Sequence, residues 1–207
     1  LFNIQEYDID NISEYLQSEA AVNPEFTPLI RGRLLSAKRF NSDQLSSENL
    51  MEREANLTWS ESLPTSNSIS KGKWWSKTDT KSEVSVDREV AESMNLNIGD
   101  ELLFSAGGSN FNATITSFRE IEWESFSPNF FFILSPSLGK TLPNSYITSI
   151  KIPSDMNIMK KFTQQFPTIS SVDLGAVILQ IRNTISSASL AVQYIFLLTL
   201  IAGILAL

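Results

Sequence analysis

The sequence predicts an α+β fold followed by a long helix that enters a membrane. Segments with strand and helix periodicity alternate at both ends of the chain, and short alternating strands fill the middle. The final segment, Leu190 to Leu207, carries no formal charge. An apolar run of about 18 residues is long enough to cross, or nearly cross, a hydrocarbon core. We therefore expect the chain to be a piece of a membrane protein.

Composition excludes several classes of function. Of the 207 residues, 42% are hydrophobic and 19% charged, which is ordinary for a folded domain that carries one apolar tail. Histidine and cysteine are absent, which removes imidazole and thiol nucleophiles, the Ser-His-Asp triad and the usual zinc sites. The net charge of −7 argues against nucleic acid as a partner, because phosphate binding needs a concentrated basic surface.

The first part of the chain reads as strand, helix, strand. Leu1 to Ile4 predicts a short strand, and Glu25 to Ala37 a second one. Asp8 to Glu19 predicts an amphipathic helix with Asp8 as its N-cap. Its apolar stripe is Ile9, Ile12, Tyr15 and Leu16. The stretch from Asn41 to Trp59 is polar with few core positions, and Thr65 to Trp75 is expected to be turn-like.

The middle of the chain predicts a small β-rich module. The expected elements are a strand at Val84 to Val86, a helix from Asp87 to Met94, and strands at Glu101 to Ser105 and Asn110 to Phe118. Gly107 and Gly108 are expected to form the hairpin turn between the last two strands. The run NFFFIL, Asn129 to Leu134, is continuously apolar and predicts a strand buried on both faces.

The last part repeats the strand, helix, strand pattern before the tail. Tyr146 to Ile152 alternates, Ser154 and Asp155 can cap a helix that runs to about Gln165, and Ile169 to Val172 predicts a final strand. After Asp173 a helical pattern continues without proline into the tail. We expect one helix of roughly 30 residues, about 50 Å long at 1.5 Å per residue.

These elements predict four parts in the chain. Residues 1–40 and 145–173 are expected to form two halves of one discontinuous, βαβ-like α+β subdomain. Residues 41–144 would be an inserted β-rich subdomain, and residues 174–207 a stalk helix that continues into a transmembrane helix.

The polar motifs predict no catalytic, cofactor or metal site. Gly139-Lys140-Thr141 resembles the end of a phosphate-binding loop, but Leu134 stands where that motif requires a glycine. Glu120, Glu122 and Glu124 alternate and could hold a hard cation, although a solvated strand face explains them better. The S-x-x-K pattern from Ser68 to Lys71 lies in a loop-like segment without its partner motifs.

Aromatic side chains are the candidate contact residues for a partner or cargo. They could line an apolar groove or pack within the core, and the sequence leaves both open. The candidate set is Trp74, Trp75, Trp123, Phe126 and Phe130.

Several stretches together resemble one family. They are PLIRGRLLSA (Pro28 to Ala37), MEREANLTWSESLP (Met51 to Pro64), ISKGKWW (Ile69 to Trp75), VSVDREVAESMNLNIGDELLF (Val84 to Phe104), ATITSFREIEWESFSPNFFFILSP (Ala113 to Pro136) and YITSI (Tyr146 to Ile150). Their order and content resemble the extracytoplasmic domain of bacterial FtsX-like, MacB-type ABC transporter permeases, in the YbbP-type branch.

The resemblance implies a MacB-type periplasmic domain between the first two transmembrane helices of a four-helix permease in the bacterial inner membrane. Residues 1 to about 188 would then be extracytoplasmic, and a transmembrane helix would lie upstream. The implied partners are a cytoplasmic ABC ATPase chain that hydrolyses ATP, a second permease copy, membrane lipid and a periplasmic SGNH-type esterase. The implied role is non-catalytic: ATP-driven motion would serve the extraction or export of lipids, lipoproteins or hydrophobic compounds.

Two other classes of function stay open at this point. A membrane-anchored extracytoplasmic sensor or binding module would also explain a folded domain joined to one apolar helix. An enzyme fits less well, because each catalytic pattern in the sequence has a simpler structural explanation.

Overall fold

A computed structural model of the chain describes residues 1–40, 53–76, 80–123, 127–152, 156–173, 192–194 and 196. The chain divides into two compact units, Leu1–Ser170 and Ser171–Leu207. The first unit contains eight strands and four α-helices among its described residues. In chain order they are α1 (Ile9–Ala20), β1 (Thr27–Lys38), β2 (Arg53–Trp59), β3 (Asn67–Gly72), β4 (Glu83–Asp87), α2 (Arg88–Ser93), β5 (Glu101–Ala106), β6 (Ser109–Ile121), β7 (Phe132–Leu134), α3 (Pro136–Gly139), β8 (Ser145–Ile147) and α4 (Met156–Gln165).

Six of the strands pair in a closed ring. The order is β1, β2, β7, β4, β6, β5 and back to β1, with parallel pairing at β2–β7 and β4–β6 and antiparallel pairing elsewhere. Strand β3 adds to β6 beyond the end of β5, so it lies outside the ring. A closed sheet of few strands is filled by its own side chains.

The ring has one continuous hydrophobic core. Its buried side chains include Ile30, Leu57, Val86, Phe104 and Ile115, each fully buried. The Phe104 ring contacts those of Phe111 and Phe132 at centroid distances of 5.7 and 5.4 Å. The middle of the chain therefore contributes strands to this core, and their grouping as a separate inserted subdomain stays a prediction.

A second, smaller sheet joins the two ends of the first unit. The start of β1 pairs with β8, Tyr146 of β8 bridges Ile4, and Phe2 bridges Ser170, all antiparallel. Helices α1 and α4 pack against this sheet through a second core. That core consists of Ile4, Ile12, Leu16, Phe162, Phe166 and Ile169.

Strand β1 belongs to both sheets. Its first residues, Thr27 to Leu29, pair with β8, whereas residues from Ile30 onward pair with β2 and β5. An α+β fold is confirmed. The predicted boundaries at residues 40, 144 and 173 stay a prediction, and the predicted stalk helix lies almost wholly outside the described residues.

Three elements differ from expectation. Asn67–Gly72, expected as a turn, is strand β3. It pairs with β6 along one edge and its other edge faces solvent, so it can carry polar serines in place of the alternating apolar residues that signal a strand. The polar stretch before Trp59 ends in strand β2, which buries Ala55 and Leu57. Asp8 precedes α1 but its side chain makes no cap hydrogen bond, because a 3-10 turn over Glu6–Asp8 already gives it a helical backbone.

The run from Asn129 to Leu134 also corrects the prediction. Only Phe132–Leu134 form a strand, and the side chain of Phe131 is 47% exposed. The prediction of burial on both faces is therefore wrong at Phe131, because the chain joins the sheet only at Phe132.

The membrane prediction is not decided by the described helices. Among the described part of the chain, no helix has the length and apolar character that a membrane span requires. Nearly all of the apolar run from Leu190 to Leu207 lies outside that part.

The Gly139-Lys140-Thr141 tripeptide packs against Trp59. The Lys140 ammonium lies 5.1 Å from the centroid of the Trp59 ring and 2.8 Å from the Glu61 carboxylate. A Cβ on Gly139 would stand 2.1 Å from the Cβ of Trp59. The glycine is therefore explained by close approach of α3 to β2.

Gly139→Ala should lower the free energy of unfolding by about 1–3 kcal/mol, because the added methyl overlaps a side-chain root that cannot rotate away. Urea denaturation followed by tryptophan fluorescence measures it. Thr141→Ala, at an exposed neighbouring position, is the control and should change stability by less than about 0.5 kcal/mol. Equal stability of the two variants would contradict the packing explanation.

Candidate functional site

The Trp74–Trp75 pair follows β3 and is held by the segment after β2. The two rings lie 3.9 Å apart between centroids. The indole N–H of Trp75 donates to the carbonyl of Ser60 at 3.0 Å, and that of Trp74 to the carbonyl of Glu61 at 3.3 Å. Trp75 is only 6% exposed. Its position favours packing over partner contact, while Trp74 is half-buried.

A different aromatic pair reaches solvent. Trp123, just after β6, and Phe131, just before β7, are 51% and 47% exposed. Their ring centroids lie 5.3 Å apart with the planes tilted by 55°. Phe130 is buried, and Phe126 lies outside the described residues. We call Trp123 and Phe131 the exposed aromatic pair.

Arg119 is fully buried on β6 and contacts the backbone of the segment that carries Phe131. Its Nη2 donates to the carbonyls of Phe130 and Phe131 at 3.0 and 3.1 Å, and its Nε donates to the Ser85 hydroxyl at 3.0 Å. Its Nη1 donates to the side-chain oxygen of Asn67. One guanidinium therefore joins β3, β4 and the segment that leads into β7.

Burial and a neighbouring charge shift the pKa of Arg119 in opposite directions. Loss of solvent lowers the pKa of its guanidinium to about 10, while the nearby carboxylate of Asp87 opposes that change. The side chain therefore remains a cation at neutral pH. Asp87 is itself buried, accepts from the Val90 N–H as the cap of α2, and donates its own backbone N–H to the Phe131 carbonyl at 2.8 Å.

A second set of hydrogen bonds holds the other side of the segment. The Asn129 amide oxygen accepts from the Ser66 hydroxyl at 3.1 Å, and its amide N–H donates to the Glu122 carbonyl at 3.3 Å. The Glu122 N–H donates to the Ser66 carbonyl at 2.9 Å. The backbone on both sides of residues 124–126 is thus held in place.

The predicted row of glutamates is only partly described. Glu120 on β6 forms an ion pair with Arg88, which also lies 3.6 Å from Glu92. Glu122 follows the strand, and Glu124 lies outside the described residues. In the described ranges, no three acidic side chains are grouped so as to hold a metal ion.

Sequence reasoning missed Arg119, Ser85, Asn67 and Asn129. In the sequence, Arg119 stands in the segment FREIEW, next to Phe118. The structure shows that its position on β6 is buried. Lone arginines are usually exposed, so nothing in the residue type alone indicated a buried role. The serine and asparagine partners come from separate strands and only meet in the fold.

The chain is similar in sequence to part of a known permease. No family model matches it. It is 31% identical, over 205 residues, to the uncharacterized ABC transporter permease YbbP of Escherichia coli strain K12. The match covers 99% of this chain and 25% of that protein, so the chain spans a quarter of the length of this curated relative.

A solved domain from a Porphyromonas gingivalis protein described as a candidate permease is 11% identical, with a TM-score of 0.38, over 79% of this chain and 71% of that one. The sequence match to the Escherichia coli protein covers 99% of the chain, and the stretches that carried the resemblance lie between residues 28 and 150. The resemblance is confirmed: over nearly its whole length, this chain is homologous to a segment of an ABC transporter permease of the YbbP type.

Proposed function

We propose that this chain is the extracytoplasmic portion of an ABC transporter permease subunit and transmits ATP-driven motion from the membrane. The motion would serve the extraction or export of lipids, lipoproteins or hydrophobic compounds. The observation that carries the proposal is the 31% identity to an ABC transporter permease along 99% of the chain.

The geometry of the first unit supports a transmitting role. Phe2 and Ser170 exchange two backbone hydrogen bonds, of 2.9 and 3.1 Å, in an antiparallel bridge. In such a bridge, the chain before Phe2 and the chain after Ser170 lie at the same end of the small sheet. A displacement of either end is thereby passed to the other.

The way in which the two sheets of this unit share β1 also supports movement of the unit as one body, without bending between the sheets. Strand β1 runs without a break from its pairing with β8 to its pairing with β2 and β5. Interfaces and packed cores shift as bodies and do not deform continuously. Movement of the small sheet would therefore carry the six-stranded ring with it.

The proposed partners follow from the same role. ATP hydrolysis is assigned to a separate cytoplasmic ATPase chain, and a second permease copy would complete the dimer. The proposed location is the bacterial inner membrane, with residues 1 to about 188 outside the cytoplasm. Membrane lipid and a periplasmic esterase of the SGNH class complete the proposed set of partners.

The test is a flexible insertion in the predicted stalk. Several glycines inserted between Ser186 and Ser189 of the full-length permease, assembled with its ATPase, should abolish the periplasmic output while ATP hydrolysis persists. The physical reason is that a flexible segment cannot carry a tilt from one end of a helix to the other. Release of a lipid or lipoprotein from the membrane, assayed beside phosphate production, measures both quantities.

The matched control is the same insertion after Gly108. This glycine lies in the hairpin turn between β5 and β6, and a Cβ added there would meet nothing within 4 Å. Both activities should survive this insertion. Full release activity in the stalk variant would contradict the proposed transmission.

A further inference from the structure

We propose that the six-stranded ring opens locally at one place, the β2–β7 junction, while β7 stays paired with β4. The junction consists of the register pairs Leu57–Phe132, Thr58–Ile133 and Trp59–Leu134. Opening there would expose core side chains of the ring, among them Leu57, Phe132 and Leu134. This device goes beyond the proposed function, because it is a property of the folded domain and needs no ATP.

The first argument is the unequal attachment of β7 to its two neighbours. The strand is three residues long, and it pairs antiparallel with β4 but parallel with β2. Parallel pairing is slightly less stable per residue. The pairing of β2 with β1 ends at Leu57, before Thr58 and Trp59. Among the described strands, β7 is therefore the one ladder partner of the last two residues of β2.

The second argument is that both ends of β7 are held to β4 and β6 by further hydrogen bonds. Before the strand, the Phe131 carbonyl accepts from the Asp87 N–H at 2.8 Å and from the Arg119 guanidinium at 3.1 Å. After the strand, the Ser135 N–H donates to the Glu83 carbonyl at 2.9 Å, and the Ser135 hydroxyl accepts from the Glu83 N–H at 3.1 Å. When the ring opens, β7 should therefore remain with β4.

The third argument is that the attachment of β7 to β2 is weaker in two respects. The Ser60 N–H donates to the Leu134 carbonyl at 3.4 Å, which is long for this type of hydrogen bond. The Thr58 hydroxyl and the Trp59 indole N–H are buried, and neither has a hydrogen-bond partner among the described residues. Buried polar groups without partners destabilise the state that buries them. Opening of the junction would give both groups access to water.

Helix α3 is the main contact that keeps the junction closed from outside the ladder. It follows β7 closely, and Gly139 approaches the Trp59 side chain more tightly than any larger residue could. The Lys140 ammonium pairs with the Glu61 carboxylate at 2.8 Å, but both side chains are about half exposed, so this ion pair contributes little. Displacement of α3 from Trp59 should therefore make opening more frequent.

Amide hydrogen exchange of the full-length permease in detergent, resolved to single residues by mass spectrometry, measures the opening. The Ser60 N–H points toward β7, and by the strand period so does that of Thr58. We expect both amides to be at least about tenfold less protected than the amides of β5 and β6. The amides of Ser85 and Asp87, which face β7 from β4, should be as protected as β5 and β6.

Two variants separate local opening from global unfolding. Ile12→Val, in the core of the small sheet, should speed exchange in β5 and β6 by about fivefold. It should leave Thr58 and Ser60 within about twofold, because a local opening keeps that core intact. Gly139→Ala should speed exchange at Thr58 and Ser60 by about fivefold or more, whereas its control, Thr141→Ala, should not.

A disulfide across the junction gives an independent test, because the chain contains no cysteine. Thr58→Cys with Ile133→Cys joins register partners of β2 and β7, whereas Arg31→Cys with Asn56→Cys joins partners of β1 and β2. Neighbouring strands are close enough for a disulfide. The first disulfide should slow exchange at Ser60 by about tenfold or more, and the second, as the control, should change it by less than about twofold.

Four outcomes would overturn the proposal. Protection of Thr58 and Ser60 equal to that of β5, or acceleration at these two amides by Ile12→Val, would show that the junction opens only when the whole unit unfolds. Lower protection at Ser85 and Asp87 than at Ser60 would place the opening between β4 and β7. Equal slowing by the two disulfides would show that they act through global stability.

Discussion

Arg119→Ala should destabilise the chain more than other single polar substitutions on β6. We expect a loss of about 3–5 kcal/mol in the free energy of unfolding, because the change leaves buried carbonyls and the buried Asp87 carboxylate without their cation. Urea denaturation followed by circular dichroism measures this loss. Near-ultraviolet circular dichroism should also change, since the Trp123 and Phe131 rings depend on the backbone that Arg119 holds.

Arg88→Ala is the matched control for Arg119. Arg88 is also an arginine with carboxylate partners, but its side chain is 48% exposed, and exposed ion pairs contribute about 0–1 kcal/mol. Arg119→Lys should recover only part of the stability, because an ammonium cannot reproduce the planar set of donors. A loss for Arg119→Ala no larger than that for Arg88→Ala would show that the buried network contributes little.

Phe162→Ala should also cost about 3–5 kcal/mol, through the cavity that it leaves in the core of the small sheet. Phe162 is fully buried, and its ring lies 5.6 Å from that of Tyr15 and 4.9 Å from that of Phe166. We expect one cooperative transition at lower denaturant concentration, since β1 is a strand of both sheets.

The shape of that transition is the informative measurement. Phe104→Ala, in the core of the ring, should shift the same transition by a similar amount. Two separate transitions, each moved by only one of the two variants, would contradict the cooperative unit and show that the sheets unfold independently.

Local pattern predicted much of the fold because several elements carry their own signals. The hairpin turn is an example: Gly107 and Gly108 adopt φ of 59° and 82°, which glycine accepts readily, and alternating residues flank them. Helix α2 begins at Arg88, one residue after the predicted start, and Asp87 is its N-cap, since the carboxylate accepts from the Val90 N–H. The stripe of α1 is confirmed because Ile12 and Leu16 are fully buried.

The rest depended on contacts between distant residues. Strand β3 has one moderately buried apolar side chain, Ile69, so its pairing with β6 decides its structure. Closure of the ring requires that β7 lie between β2 and β4, which no local period encodes. Contacts between distant residues also decide which aromatic side chains are exposed. Trp75 and Phe130 are buried, whereas Phe131 and Trp123 are exposed.

The antiparallel bridge between Phe2 and Ser170 determines how the first unit would respond to load. A force that pulls both ends in the same direction runs along the two bridged segments. It does not stretch their hydrogen bonds of 2.9 and 3.1 Å, because these lie across that direction. A pull that spreads the ends apart acts across the bridge and peels it open at its first pair. The unit should therefore resist joint traction and yield to splaying, so a direction of force, as well as its size, would decide whether the domain is moved or opened.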